Sequence, residues 1–229
     1  MKETFELNAV VFDMDGLLLD SERKSQEVLI KAAQVLGLDF PPEQAIKMVG
    51  RNAPSGYQYL TRLFGGESTA QAFITVRDQL YEEEFEAGRI PLKPGVLELL
   101  DTLDEFKIRR AIATSTMRGV ALRKLEKVNI VERFDLIVCG DEVVNGKPAP
   151  DIYLKATSLL GVRPQHCLAC EDSPPGIEAA YTAGLRAILV PDLITPTERM
   201  IGHAWRVVAS LHDVATIVRE MRHISVAAA

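Results

Sequence analysis

The sequence predicts an α/β protein: a parallel sheet covered by helices on both faces, with a separate all-helical module inserted near its N-terminal end. Three observations predict it. From Pro94 onward, short apolar runs rich in β-formers alternate with stretches of helical periodicity. Between Ser21 and about Gly88 helical patterns follow one another with no convincing strand between them. Turn residues bracket that stretch, Gly16 to Asp20 before it and Pro91-Leu92-Lys93-Pro94-Gly95 after it, as an insertion requires. The expected division is residues 1–20 with 90–229 for the sheet domain and residues 21–89 for the helical module.

Taken in order, Val10-Val11-Phe12 reads as a buried strand that ends in Asp13 and Asp15. Residues two apart in an extended segment point the same way, so the two acids share a side, and Gly16 lets the chain turn. Asp20 or Ser21 caps a helix with Val28, Leu29, Ala32, Ala33 and Leu36 on one face and Gly37 as its stop. Pro41-Pro42-Glu43 opens a short helix ending near Gly50, and further helices are expected over Tyr57–Phe64 and Thr69–Phe85. Pro94 is suited to start a helix through Phe106. Strands then follow at Arg110–Ala113, Leu136–Cys139, Cys167–Cys170, Ala187–Val190 and Val207–Ala209. The helices between and after them are Arg118–Val128, Asp151–Leu160, Gly176–Ala183 and Asp213–Met221.

At 229 residues, 47% of them hydrophobic, the chain can build one large domain or two modest ones. A formal charge of −6 argues against a generic nucleic-acid surface or a polybasic membrane contact and favours a small diffusible partner. The charged start, Met1 to Glu6, and the short apolar run behind it are unlike a secretory signal or a spanning helix, so a cytoplasmic location is expected. Cys167 and Cys170 form a C-x-x-C spacing, but residues three apart in a strand face opposite sides. With Cys139 the only other cysteine, there is no second pair to complete a zinc site, and buried thiols are expected.

Ligand sites of parallel sheets lie outside the C-terminal strand ends. Here those ends carry Asp13 and Asp15, then Thr114-Ser115-Thr116, then Asp141-Glu142 with Gly146-Lys147-Pro148, then Glu171-Asp172-Ser173. Each has an ordinary reading as a cap, turn or solvated charge; their joint arrival at one edge does not.

These four segments, in this order, resemble the motifs of the haloacid dehalogenase superfamily, nearest its β-phosphoglucomutase-like and phosphoglycolate-phosphatase-like group. The resemblance covers nearly the whole chain. It implies a Rossmann-like three-layer core with an inserted all-helical cap domain, and a Mg²⁺-dependent phosphatase acting on a small phosphorylated metabolite. Four crowded carboxylates call for a divalent cation, since each close pair costs about 4 kcal/mol at about 4 Å and an effective dielectric of about 20. Hard oxygen ligands beside a phosphate point to Mg²⁺. The resemblance implies coordination by Asp13, the Asp15 carbonyl, Glu171 and Asp172. It further implies nucleophilic attack by Asp13, acid–base work by Asp15, and phosphoryl binding by Thr114, Ser115 and Lys147. Arg51 and Asn52, with Arg23 and Lys24, are the candidates for substrate selection from the cap.

The nearest alternative is a phosphomutase of the β-phosphoglucomutase type, but that enzyme's cap-hinge histidine is matched here by Ser25. A haloalkanoic dehalogenase has no use for Asp15 or the Glu171-Asp172 pair. A receiver domain is about half this length and carries its acid pair ahead of the phosphorylated Asp. An idle sugar-phosphate binder would not need every turnover residue. Substrate identity, oligomeric state and the role of Pro174-Pro175 stay open.

Overall fold

The computed structural model describes residues 6–49 and 53–227. The chain divides into two compact units, one running to Leu19 and resuming at Leu92, the other spanning Asp20–Pro91. The first opens with β1 (Ala9–Phe12), four fully buried residues.

All the regular structure among the second unit's described residues is helical: α1 (Ser21–Leu36), α2 (Pro42–Ile46), α3 (Ala53–Phe64) and α4 (Glu67–Glu86). Gly37 ends α1 in the left-handed region and returns its N–H to the carbonyls of Ala33 and Gln34. Asp20 stands at the N-cap position of α1 but makes no capping bond with its side chain. The short helix stops at Ile46 rather than near Gly50, because Lys47, Met48 and Val49 continue as successive tight turns. Phe40, Phe64 and Phe73 meet with ring centroids 5.0–6.1 Å apart. Leu29, Leu60 and Ala70 complete that core.

The sheet unit continues with α5 (Val96–Glu105), β2 (Arg109–Ala113), α6 (Arg118–Lys127), β3 (Leu136–Val138) and α7 (Asp151–Leu160). It ends with β4 (Cys167–Glu171), α8 (Pro174–Thr182), β5 (Arg186–Leu189), α9 (Glu198–His203), β6 (Arg206–Val207) and α10 (Leu211–Ala227). Pro94 does not begin α5. Gly95 takes its N-cap with φ +87, and a Cβ there would fall 2.3 Å from the backbone nitrogen of His212, so the start of α10 demands a glycine. Helix α8 starts at Pro174 instead of Gly176. Prolines suit a first turn, whose N–H groups have no helical acceptor, and the Ser173 hydroxyl accepts from Gly176 N at 3.2 Å. Helix α9, absent from the periodicity, is six residues capped by the Thr197 hydroxyl. The last strand is Arg206–Val207, not Val207–Ala209; Ala209 and Ser210 give their N–H groups to Asp213 at the head of α10.

The six strands are parallel in the order β3-β2-β1-β4-β5-β6. Strand order reverses between β1 and β4, which opens a crevice beyond their C-terminal ends. Register places the crevice residues: Phe12 is paired with Ile112 on one side and Cys170 on the other, so Asp13 comes level with Glu171. On one face of the sheet Ala9, Val11, Ala111, Ala113, Cys167 and Ala169 pack with Tyr153, Ala156 and Ile177 from α7 and α8. Period-two alternation puts Asp13 and Glu171 on that same face, as the next steps after Val11 and Ala169. All three cysteines are buried and free; burial pushes the Cys139 thiol up to about 11, the Cys167 thiol to about 12, and Cys170 higher still. No helix among the described residues is long and apolar enough to cross a membrane.

Candidate active site

The site lies wholly within the sheet unit. Asp13, Glu171 and Asp172 are buried, and each offers a carboxylate oxygen within 4.8 Å of the others. The Asp13 N–H continues the ladder to the Cys170 carbonyl at 3.0 Å, which locks the two strand ends together. Lys147, from the loop before α7, places its ammonium 2.5 Å from Asp13 Oδ1 and 2.6 Å from Glu171 Oε1, with its side chain 4% exposed.

Two hydroxyls also hold Glu171. The Tyr153 hydroxyl donates to Oε1 at 2.6 Å, and the Ser173 hydroxyl donates to Oε2 at 3.0 Å. A Cβ on Gly176 would come within 2.0 Å of the carboxylate, so only glycine at that point of α8 leaves room for it. Tyr153 also turns its ring toward Lys147, 5.2 Å from Nζ.

Burial is the largest influence on the Asp13 carboxyl and raises its pKa; Lys147 pulls it down and Glu171 pushes it up. Lys147 moves the opposite way to its own burial, because Asp13 and Glu171 raise its pKa more than desolvation lowers it. The Tyr153 hydroxyl is driven far up by burial and stays a hydrogen-bond donor.

Asp15 turns away from this cluster to a pair of its own. Lys124 Nζ donates to its Oδ1 at 2.7 Å, and the Thr116 hydroxyl donates to its Oδ2 at 2.7 Å. Thr116 is fixed in turn by its own N–H, which donates to the buried Thr114 hydroxyl at 3.1 Å. Gly16 follows at φ +85 and donates its N–H to Leu19 O at 2.9 Å, setting the turn. Ser115 is exposed, and its carbonyl approaches Gly140 so closely that a Cβ there would lie 2.2 Å from it.

The expected residues at the strand ends are thus gathered at one edge, with Asp13, Lys147, Glu171 and Asp172 as one cluster and Asp15 linked to Thr114 through Thr116. Of the candidates from the helical unit, Arg51 and Asn52 lie outside the described residues. Lys24 sits 2.6 Å from Glu27 and 3.5 Å from Glu84, and Arg23 Nε 3.3 Å from Asp20. The sequence does not single out Lys124 or Tyr153, and it marks Thr116 only as part of the strand-end run Thr114-Ser115-Thr116. The available signal was positional: Lys124 shares a helix face with Ala121 and Leu125, three before it and one after, and all three are buried.

Residues 10–190 match the haloacid dehalogenase-like hydrolase family. The chain belongs to that family. Within it the fold is that of the β-phosphoglucomutase-like and phosphoglycolate-phosphatase-like group. Protein CbbY of Rhodobacter capsulatus is 33% identical over 211 residues, covering 88% of this chain and 93% of its own length. A phosphorylated carbohydrates phosphatase of Thermotoga maritima is 34% identical over 184 residues, 80% of this chain and 84% of its own. Among solved structures, a family hydrolase from Deinococcus radiodurans with bound phosphate and sodium aligns at TM-score 0.81 and 25% identity, covering 95% of this chain and 97% of that one. The Rossmann-like α/β core and the identification as a haloacid dehalogenase-like hydrolase both hold.

Proposed function

We propose that this hydrolase is a Mg²⁺-dependent phosphatase of small phosphorylated metabolites, sugar phosphates among them, working through an aspartyl-phosphate on Asp13. One observation carries the reading: a buried carboxylate at the tip of β1 lies 2.5 Å from a buried lysine and shares its surroundings with Glu171 and Asp172. Three carboxylate oxygens within 4.8 Å form an all-oxygen donor set, which suits Mg²⁺. The raised pKa of Asp13 supports the same fit, since a divalent cation at that point favours the charged carboxylate that burial disfavours. When bound, Mg²⁺ would supply charge neutralisation for the phosphoryl oxygens, held by Asp13, Glu171, Asp172 and the Asp15 carbonyl.

Asp13 attacks phosphorus and the leaving oxygen departs, splitting one difficult displacement into two easier ones. Lys147 holds the nucleophile in place and offsets charge on the transferring group. The Thr114 hydroxyl and the backbone at Ser115 take phosphoryl oxygens. Asp15 gives a proton to the leaving alkoxide and then takes one from the water that hydrolyses the aspartyl-phosphate. Substrate choice is assigned to the helical unit, with Arg51 and Asn52 as candidates. The name of the Thermotoga relative, a phosphorylated carbohydrates phosphatase, supports a carbohydrate-related substrate class. A net charge of −6 and the absence of a long apolar helix among the described residues accord with a diffusible enzyme, assigned to the cytoplasm.

The test is phosphate release from p-nitrophenyl phosphate and a panel of phosphorylated metabolites, with and without Mg²⁺. Wild type turns over only with the cation, and Asp13→Asn and Asp15→Ala lose activity; equal rates in all three proteins would overturn the mechanism. Feeding a hexose 1-phosphate separates the phosphomutase alternative, which accumulates the 6-phosphate in place of free phosphate.

A further inference from the structure

Lys124 presents a problem of its own. It belongs to the buried stripe of α6 with Ala121 and Leu125, where the helix packs against the rest of the sheet unit, and its side chain is 10% exposed. A lysine costs free energy in such a place unless its ammonium meets an acid. The acid it meets is Asp15, 109 residues away in sequence, at 2.7 Å. The contact is one half of a fork: Thr116 takes the other carboxylate oxygen at 2.7 Å, and Thr116 is itself tied to Thr114 by a 3.1 Å bond from its N–H. With a donor at each oxygen, the carboxylate plane of Asp15 cannot rotate without breaking a bond.

We propose that Lys124 is a positioning residue for proton transfer by Asp15: with Thr116 it fixes the direction in which the carboxyl faces the leaving oxygen of a phosphate monoester. The proposal rests on the reading of Asp15 as the acid–base group and goes beyond it by assigning its orientation to the core helix α6. It makes a chemical prediction. Help with proton transfer matters most when the leaving alkoxide is strongly basic and least when it is p-nitrophenolate, which departs unprotonated. Lys124 is therefore needed for alkyl phosphates, the class that includes sugar phosphates, more than for aryl phosphates.

The experiment measures kcat/KM across a series of phosphate monoesters graded by leaving-group pKa, since this quantity covers steps up to loss of the alcohol. Lys124→Met, Lys124→Arg, Thr116→Val and Asp15→Asn are compared with wild type, with folding checked by thermal melting. Lys124→Met is expected to lose about 10- to 100-fold on alkyl esters, part of the range a positioned acid supplies, and less than about threefold on p-nitrophenyl phosphate. Lys124→Arg keeps the cation and recovers part of the loss, and Thr116→Val reproduces the steeper leaving-group dependence in weaker form. Uniform loss across the series for both Lys124→Met and Thr116→Val overturns the proposal, since a purely structural lysine affects every ester alike. Should Lys124→Met fail to fold, Thr116→Val carries the same discrimination. If Asp15→Asn steepens the dependence while the other variants do not, positioning by Lys124 falls and the acid–base reading stands; if Asp15→Asn itself leaves the dependence unchanged, the acid–base reading is what has failed.

Discussion

At the Lys147 ammonium, two buried carboxylates meet one cation, Asp13 at 2.5 Å and Glu171 at 2.6 Å. Ions out of water are tolerated only when paired, and removing one partner of a buried pair costs about 3–5 kcal/mol. Lys147→Met leaves Asp13 and Glu171 facing each other with their mutual repulsion uncompensated. Its melting temperature is expected to fall in metal-free buffer, and added Mg²⁺ is expected to raise it by more than in wild type, because the cation takes over part of the lysine's neutralising role. Differential scanning fluorimetry with and without Mg²⁺ checks this; equal Mg²⁺ shifts in the two proteins would count against a metal among these acids. Turnover of the variant falls about 10²- to 10³-fold even at saturating Mg²⁺, the usual scale for losing one preorganised electrostatic partner. Legibility in the sequence differs sharply between neighbouring residues here. Asp13 and Glu171 stand at the ends of apolar runs, where a charge is conspicuous, and Lys147 stands between a glycine and a proline in the loop that follows one. Tyr153 and Lys124 lie inside helical periodicities, where the same residue types read as packing or as a solvated charge, and only the tertiary contact with Glu171 or Asp15 gives them a part in the site.

Helix α4 shows what one element contributes. Near its C-terminal end Glu84 accepts from Arg89 Nε at 2.7 Å and lies 3.5 Å from Lys24 on α1, tying the end of the longest helix in its unit to the first. The Arg89 hydrogen bond, helped by Lys24, lowers the Glu84 carboxyl from 4.5 to about 2. A folded-state pKa below the unfolded one means stability that is present in full above the unfolded value and lost as pH falls from there toward the folded one. Glu84→Gln is therefore expected to be less stable than wild type by about 1 kcal/mol at neutral pH, the scale of an ion pair near solvent. The gap closes as pH drops from 4.5 toward about 2. Thermal melts of both proteins across that range measure it, and a gap that does not depend on pH would refute the ion-pair account. Element by element, local rules are ambiguous at the start of α8 and the end of α2, and there the sequence expectation and the structure differ. A Pro-Pro pair fits a turn or a first helical turn equally well, and the Ser173 cap decides between them.

Across the whole molecule, the alternation of strands and helices leaves β1 and β4 adjacent at the reversal of strand order, and every acid of the cluster hangs from one of those two strands or the residue beyond it. The same layered burial accounts for the thiols. Cys139, Cys167 and Cys170 are enclosed, and desolvation holds each in its protonated, unreactive form. A thiol reagent such as Ellman's is expected to titrate none of them in the native protein and all three after denaturation. Rapid native reaction at the C-x-x-C pair would reopen a redox reading.

By itself the sequence determined the alternation of elements, the insertion of a helical stretch and the charged strand ends. These are local properties: periodicity, turn residues and the contrast between an apolar run and the acid that follows it are all written within a few consecutive positions. Only the tertiary structure decided that Gly95 must be a glycine, that Gly176 must leave room for Glu171, and that Lys124 belongs to Asp15. In each case the deciding partner is distant in the chain or on another element, and such contacts exist only once packing has brought separate elements within a few ångströms of one another.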